Sequence, residues 1–163
     1  MPSSVTKHGN VMVAGFQIPI RHQIQTRDND CWAACSGMIL QWAGFNTLHS
    51  VILAEGNTVG QLGGLDSAIE LSETARVIRN LSNNTIQFAK VESPRTKTED
   101  YWIQHINNYK PVLTSMGLHC RIIFGYNGSG QFAVMDPHPA QTGPILGNIG
   151  YLQANLNDAY VML

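Results

Sequence analysis

Residues 25–42 read Gln-Thr-Arg-Asp-Asn-Asp-Cys-Trp-Ala-Ala-Cys-Ser-Gly-Met-Ile-Leu-Gln-Trp, and the reading of the whole chain turns on this stretch. Asp28, Asn29 and Asp30 are side chains of the kind that cap helix N-termini. Behind them Trp32, Cys35, Met38, Ile39 and Trp42 recur at helical spacing, and Gly44 supplies a C-terminal stop. The pattern predicts a helix over 31–42 with Cys31 at its first position. Upstream, residues 11–25 alternate and carry Pro19, which suits an extended segment or edge strand better than a helix. The chain is therefore expected to arrive at Cys31 extended and to turn into a helix there.

That placement has chemical meaning. A thiol attacks a carbonyl usefully only as thiolate, and a helix N-terminus favours a thiolate because its unpaired N–H groups act as partial positive charge. Taken alone, Cys31 reads as a small hydrophobe at a helix start and Gln25 as an exposed loop residue. Together they suggest more. Gln25, six residues before Cys31 on an extended approach, can offer its amide to a developing oxyanion beside the Cys31 backbone N–H. A proton acceptor and its orienting group must come from elsewhere in the chain. His119 opens one strand-like run and Asp136 closes the next, so the two are expected at adjacent strand ends, where a carboxylate can orient an imidazole.

Outward from this core the elements are plainer. Residues 45–65 are rich in Gly and Asn with one short helix near 48–55. Ile69, Leu71, Ala75, Val77 and Ile78 predict a helix over 66–81, capped by Asp66 or Ser67. A strand around 86–91 follows, then a breaker at Pro94 and a helix over 98–109 ended by Pro111. Runs 112–116, 119–126 and 131–135 read as strands, the last two joined by a hairpin turn at Asn127–Gly130. Asp136 to Pro139 form a rigid bend before a Gly-rich stretch to Gly150. Helices first and an antiparallel sheet second make an α+β arrangement.

Composition narrows the partners. Of 163 residues 13% are charged and the formal net charge is −1, which leaves no basic stripe for nucleic acid and no polybasic patch for a membrane surface. Apolar runs fall far short of the roughly 20 residues that span a bilayer, and the first fifteen residues lack the pattern of a Sec signal. Cys31, Cys35 and Cys120 cannot all pair, and are read as free thiols. A zinc site from these three with His119 is the sharper alternative, though paired C-x-x-C spacing is missing; no metal or other cofactor is expected. Cys35, one turn beyond Cys31, reads as packed, or as a redox partner. Asp28 and Asp30 place negative charge near the proposed thiolate, an unfavourable arrangement unless both cap the helix or face solvent. His138 is the remaining histidine nearest this set, and Asn127 and Asn148 are alternative orienting residues.

The run Cys31-Trp32-Ala33-Ala34, with Gln25 before it and Pro111-Val112-Leu113, His119 and Val134-Met135-Asp136-Pro137 after it, resembles the papain-like cysteine peptidases of bacteria. Within that group it is most similar to type III effector proteases of plant-pathogenic bacteria, and next to the peptidases that trim double-glycine leaders from bacteriocins. The resemblance spans about residues 17–137. It implies a papain-like fold, with the nucleophile at a helix N-terminus packed on a C-terminal antiparallel sheet. Residues 1–163 would be a single catalytic domain, with 1–15 as a flexible N-terminal segment. It also implies roles: Cys31 nucleophile, His119 base then acid, Asp136 orienting residue, Gln25 oxyanion donor, and Trp32 packed beneath the site on the substrate side.

The expected activity is hydrolysis of an amide in a protein or peptide substrate. Export without a Sec signal, into a host or rival cell, is the first setting; the bacterial cytoplasm is the other. A host activating factor is compatible with the effector resemblance. Peptidoglycan cross-links, a ubiquitin-like tail or a bacteriocin leader are alternative substrates, the last weakened because no transporter segment follows in this sequence. A papain-like binding module without turnover ranks last, since all four site residues are present. The sequence carries no statement of oligomeric state.

Overall fold

A computed structural model of the chain describes residues 5–8, 11–14, 16–60 and 69–163. The elements in order are β1 (Val5–His8), β2 (Val11–Ala14), α1 (Cys31–Trp42), α2 (His49–Gly60), α3 (Leu71–Leu81), β3 (Phe88–Lys90), α4 (Glu99–Asn107), β4 (Val112–Met116), β5 (Cys120–Tyr126), β6 (Phe132–Met135), β7 (Ile145–Gly147), α5 (Ile149–Asn155) and β8 (Leu156–Met162). Helices precede an antiparallel sheet, as the α+β reading expected. Between Phe16 and Asp30 there is neither helix nor strand, but the chain does not reach Cys31 extended: a bend and turn over Thr26–Asn29 precede the helix, with the Asp30 N–H donating to Arg27 O at 3.3 Å. Within residues 1–15, β1 and β2 pair antiparallel as a separate two-stranded sheet.

Helix α1 begins at Cys31 and is the centre of the molecule. Every residue from Cys31 to Leu40 is buried, so the helix is covered all round rather than on one face. Ala33, Ala34, Ser36 and Gly37 make this possible, because small side chains let α2, α3 and β5 approach together. One contact is tighter still. A Cβ at Gly56 of α2 would overlap the indole ring of Trp32, so glycine there is a packing requirement that seats Trp32 beside Cys31.

The main sheet has the strand order β3-β8-β4-β5-β6-β7, with every pairing antiparallel. Strands β4, β5 and β6 match the three runs expected from sequence. The C-terminal β8 enters between β3 and β4; neither it nor α5 shows in the residue pattern. The turn joining β4 to β5 is two residues long: Gly117 and Leu118 both have φ near +57°, the left-handed pair that matches strand twist in tight hairpins. Glycine meets that requirement freely; Leu118 meets it at a cost, with its side chain fully exposed.

Three local expectations are corrected. Helix α2 extends to Gly60, well past the short helix expected near 48–55. Helix α3 starts at Leu71 after an extended Glu70, not at 66; the proposed caps Asp66 and Ser67 lie outside the described residues. Asp30 occupies the N-cap position of α1 but makes no side-chain capping bond.

Replacing Gly56 with alanine should destabilise the protein by about 1–3 kcal/mol, because a large buried ring must move to admit one methyl group. Urea unfolding of G56A against wild type checks this. A change below 0.5 kcal/mol would mean that Trp32 is not held as tightly as the packing indicates.

Candidate active site

Position one strand step beyond the Ile122–Met135 pair of β5 and β6 decides the site. Continuing that register brings Arg121 opposite Asp136. His119, two residues earlier on β5's approach, falls on the same side of the strand as Arg121. Both reach the carboxylate: His119 Nε2 is 2.5 Å from Asp136 Oδ1, and Arg121 Nε donates to Oδ2 at 2.8 Å. The backbone N–H of His138 donates to Oδ1 at 2.8 Å as well. With Nε2 on Asp136, His119 keeps Nδ1 for its second neighbour, the thiol of Cys31, to which it is hydrogen-bonded. Cys31 Sγ in turn accepts the backbone N–H of Cys120 at 3.4 Å.

These contacts set the electrostatics. The hydrogen bond to Asp136, then that to Cys31, raise His119 to about 9, against the opposing effect of burial. For Asp136 burial pushes upward, but the bonds from His119 and from the His138 backbone, with the charges of His119 and Arg121, outweigh it and hold the carboxyl at about 2. The pair is thus an imidazolium and a carboxylate across the neutral range. Such an imidazolium faces the sulfur as a ready proton donor.

The extended segment before α1 is stitched to the same strand end. Gln25 N–H donates to Pro137 O at 2.9 Å, and His22 Nε2 is bonded to Asp136 O at 2.7 Å. Gln25 is itself buried, and its Nε2 donates to Arg27 O at 2.9 Å and Asp28 O at 3.1 Å. Its amide is therefore engaged with loop carbonyls, and its buried Oε1 has no hydrogen-bond partner among the described residues. Trp32, next to Cys31 in α1, is buried and lines the same cavity as Cys31.

A cavity of about 590 Å³ opens against the thiol, lined among others by Cys31, Trp32, Leu118 and His119. Its lining also includes Lys90 and Asp158, 3.8 Å apart.

Of the two acidic residues ahead of the thiol, one is disposed as expected and one is not. Asp28 faces solvent. Asp30 is buried and turned away from the helix end: its Oδ2 accepts from Thr26 Oγ1 at 2.7 Å, with His49 Nε2 3.6 Å away, beyond hydrogen-bond reach. The α1 N-terminus is thereby left uncapped by Asp30 and open toward the thiol. Asn127 and Asn148 are occupied elsewhere, Asn127 in its own turn and Asn148 as the cap of α5. His138 serves Asp136 through its backbone, while its ring lies 6.4 Å from that of His119. All three cysteines are free and buried, and burial and a bond to Cys120 drive the Cys35 thiol well up. Among the described residues no group of three or more His, Cys, Asp or Glu side chains is arranged to hold a metal ion, and no helix is long and apolar enough to cross a membrane.

Sequence reasoning missed Arg121. Its signal was present in the i, i+2 spacing from His119 along a strand, but the register against β6 was needed to read it.

The family model described as "Papain-like cysteine protease AvrRpt2" matches residues 12–145. The chain belongs to that family of papain-like cysteine proteases. No curated protein matches it by sequence. Among solved structures, the protease resembles a double glycine motif protease from an AMS/PCAT transporter in complex with its leader peptide, at 11% identity and TM-score 0.63, covering 91% of this chain and 95% of that one. It also resembles the peptidase domain of Streptococcus ComA, a bifunctional ABC transporter of a quorum-sensing pathway, at 12% identity and TM-score 0.57, covering 85% and 93%. UfSP from C. elegans is similar at 15% identity and TM-score 0.59, covering 99% of this chain and 34% of that one. At these identities the likeness is one of fold, and both families suspected from the sequence are represented.

The two shifted groups predict how the protease's stability depends on pH. His119, raised from 6.5 to about 9, contributes stability that is complete below 6.5 and lost as pH rises through about 9. Asp136, lowered from 3.8 to about 2, contributes stability that is complete above 3.8 and lost as pH falls through about 2. Denaturation of wild type and His119→Gln should therefore diverge most between pH 4 and 6.5 and converge by pH 10. A constant gap across that range would mean His119 is not the group responsible.

Proposed function

We propose that this papain-like cysteine protease hydrolyses peptide bonds with Cys31 as nucleophile, His119 as general base and acid, and Asp136 as the orienting carboxylate. The single observation that carries the reading is the contact chain from Cys31 through His119 to both oxygens of Asp136, ending in a cleft. Cys31 Sγ attacks the scissile carbonyl carbon, and the π electrons move onto oxygen. As the tetrahedral adduct collapses, His119 delivers its proton to the leaving amine and a thioester remains. Water, losing a proton to His119, then adds to the thioester carbonyl, releases the acid and expels Cys31 as thiolate beside protonated His119, the state from which the attack began.

The oxyanion in this mechanism forms at the uncapped end of α1, where the Cys31 backbone N–H points at it. Gln25 is the second donor. Its amide must then share one hydrogen between two carbonyls or give up the longer bond, the one to Asp28 O. Trp32 and Leu118 line the cleft with the thiol and are the residues assigned to contact the substrate chain.

The substrate is a protein or peptide of a host or rival cell, reached by Sec-independent export. Family membership supports this setting, together with the effector resemblance of the Gln, Cys-Trp and His residues. A second reading, removal of a double-glycine leader, is favoured by the structural likeness to a protease that holds a leader peptide in its complex.

Iodoacetamide labelling at pH 7, mapped by mass spectrometry, tests the chemistry without a known substrate. Cys31 should react alone and at least tenfold faster than Cys35 or Cys120, and His119→Ala should remove the difference. Equal labelling of all three thiols would sink the triad. A peptide library then separates the substrates: cleavage after paired glycines supports leader removal, and cleavage elsewhere supports the first reading. Gln25→Ala should lower kcat on any cleaved peptide by about 10²–10³-fold if its amide reaches the oxyanion. An unchanged kcat would leave Gln25 as a loop brace only.

A further inference from the structure

We propose that Arg121 is a fourth, positioning member of the active site, balancing the charge of Asp136 so that the carboxylate acts on His119 as a hydrogen-bond acceptor and not as net negative charge. The inference rests on the triad reading above. Arg121 lies opposite Asp136 across the β5–β6 ladder, and its Nε takes Oδ2 at 2.8 Å while His119 and the His138 N–H share Oδ1. Its guanidinium is fixed from behind: Nη1 reaches Tyr151 Oη on α5 at 3.4 Å and Met116 Sδ on β4 at 3.8 Å. The side chain is about one-fifth exposed and Asp136 only 3%, so the ion pair is poorly screened. Arg121 does not line the cleft.

A buried carboxylate without this partner would hold the imidazolium too firmly. His119 must give its proton to the leaving amine, and a proton held by an unbalanced carboxylate is a slower one to transfer. Pairing Asp136 with a permanent cation keeps the orienting bond and removes most of the excess attraction. Other charged groups near His119 do not stand in for Arg121. The Cys31 thiol is the proton's other partner, the His138 ring is 6.4 Å off, Lys90 and Asp158 answer each other across the cleft, and Glu70 lies on its wall. Asp30, ahead of α1, is turned to Thr26 and His49, and His22 Nε2 is bonded to the Asp136 carbonyl rather than to its carboxylate.

The test is the pH dependence of Cys31 alkylation by iodoacetamide between pH 4 and 10, in wild type, Arg121→Gln and Arg121→Lys, with His119→Ala as control. Wild type should show two steps, the alkaline one from loss of the His119 proton and absent in the control. Arg121→Gln keeps a donor for Oδ2 but no charge, and should move the alkaline step upward by roughly half a unit to one unit. Arg121→Lys keeps the charge and should leave the step in place. A step that stays or moves down in Arg121→Gln overturns the proposal, since loosening of Asp136 alone would lower it. If Arg121→Gln does not fold, Arg121→Lys decides: an unmoved step supports charge balance and a displaced one overturns it. A wild-type profile indifferent to His119→Ala would sink the triad itself, a failure distinct from the other.

Discussion

The antiparallel register of β5 against β6 is the constraint on which the active site depends. It places Arg121 opposite Asp136 and His119 one strand repeat away on the same side, so that two cationic side chains meet one carboxylate from adjacent directions. A slip of one residue would turn both to the opposite face of the sheet and dissolve the arrangement. The buried faces of these strands make such a slip costly: Ile122, Phe124, Phe132, Val134 and Met135 are all fully covered. The packing that stabilises the sheet is therefore also what sets the chemistry.

A second set of contacts brings the Cys31 thiol to this pair. The chain from His22 to Gln25 is bonded to the carbonyls of Asp136 and Pro137, which fixes where α1 begins relative to the strand ends. Helix α1 then runs inward, small-faced and wholly buried, and its first residue faces His119. The departure of Asp30 from capping belongs to the same design. A capping carboxylate would place negative charge on the helix end beside the Cys31 sulfur, whereas Asp30 turned to Thr26 leaves that end open.

Much of this was legible along the chain. Cys31 at a helix start was readable from polar side chains followed by helical periodicity, and His119 and Asp136 from their places at the edges of apolar runs. Strands β4, β5 and β6 carry unbroken buried residues, so their pattern was clear. The tail was not. Strand β8 has buried residues only at Leu156 and Ala159, too few for alternation to show, and its place between β3 and β4 is fixed by hydrogen bonding to both neighbours. The start of α3 was misread because Ile69 continues the apolar period of a helix it does not join.

The sequence by itself determined the class of chemistry: a thiol, an imidazole and a carboxylate, in an order and in local settings that suit acyl transfer. It determined this because helix starts and strand ends are local features, written within a few residues. Only the tertiary structure decided which side chains answer which charge. Arg121 pairs with Asp136, Asp30 with Thr26, and Gln25 with loop carbonyls because strand register and helix packing bring distant segments within about 3 Å, the reach of a hydrogen bond. No spacing along the chain encodes that.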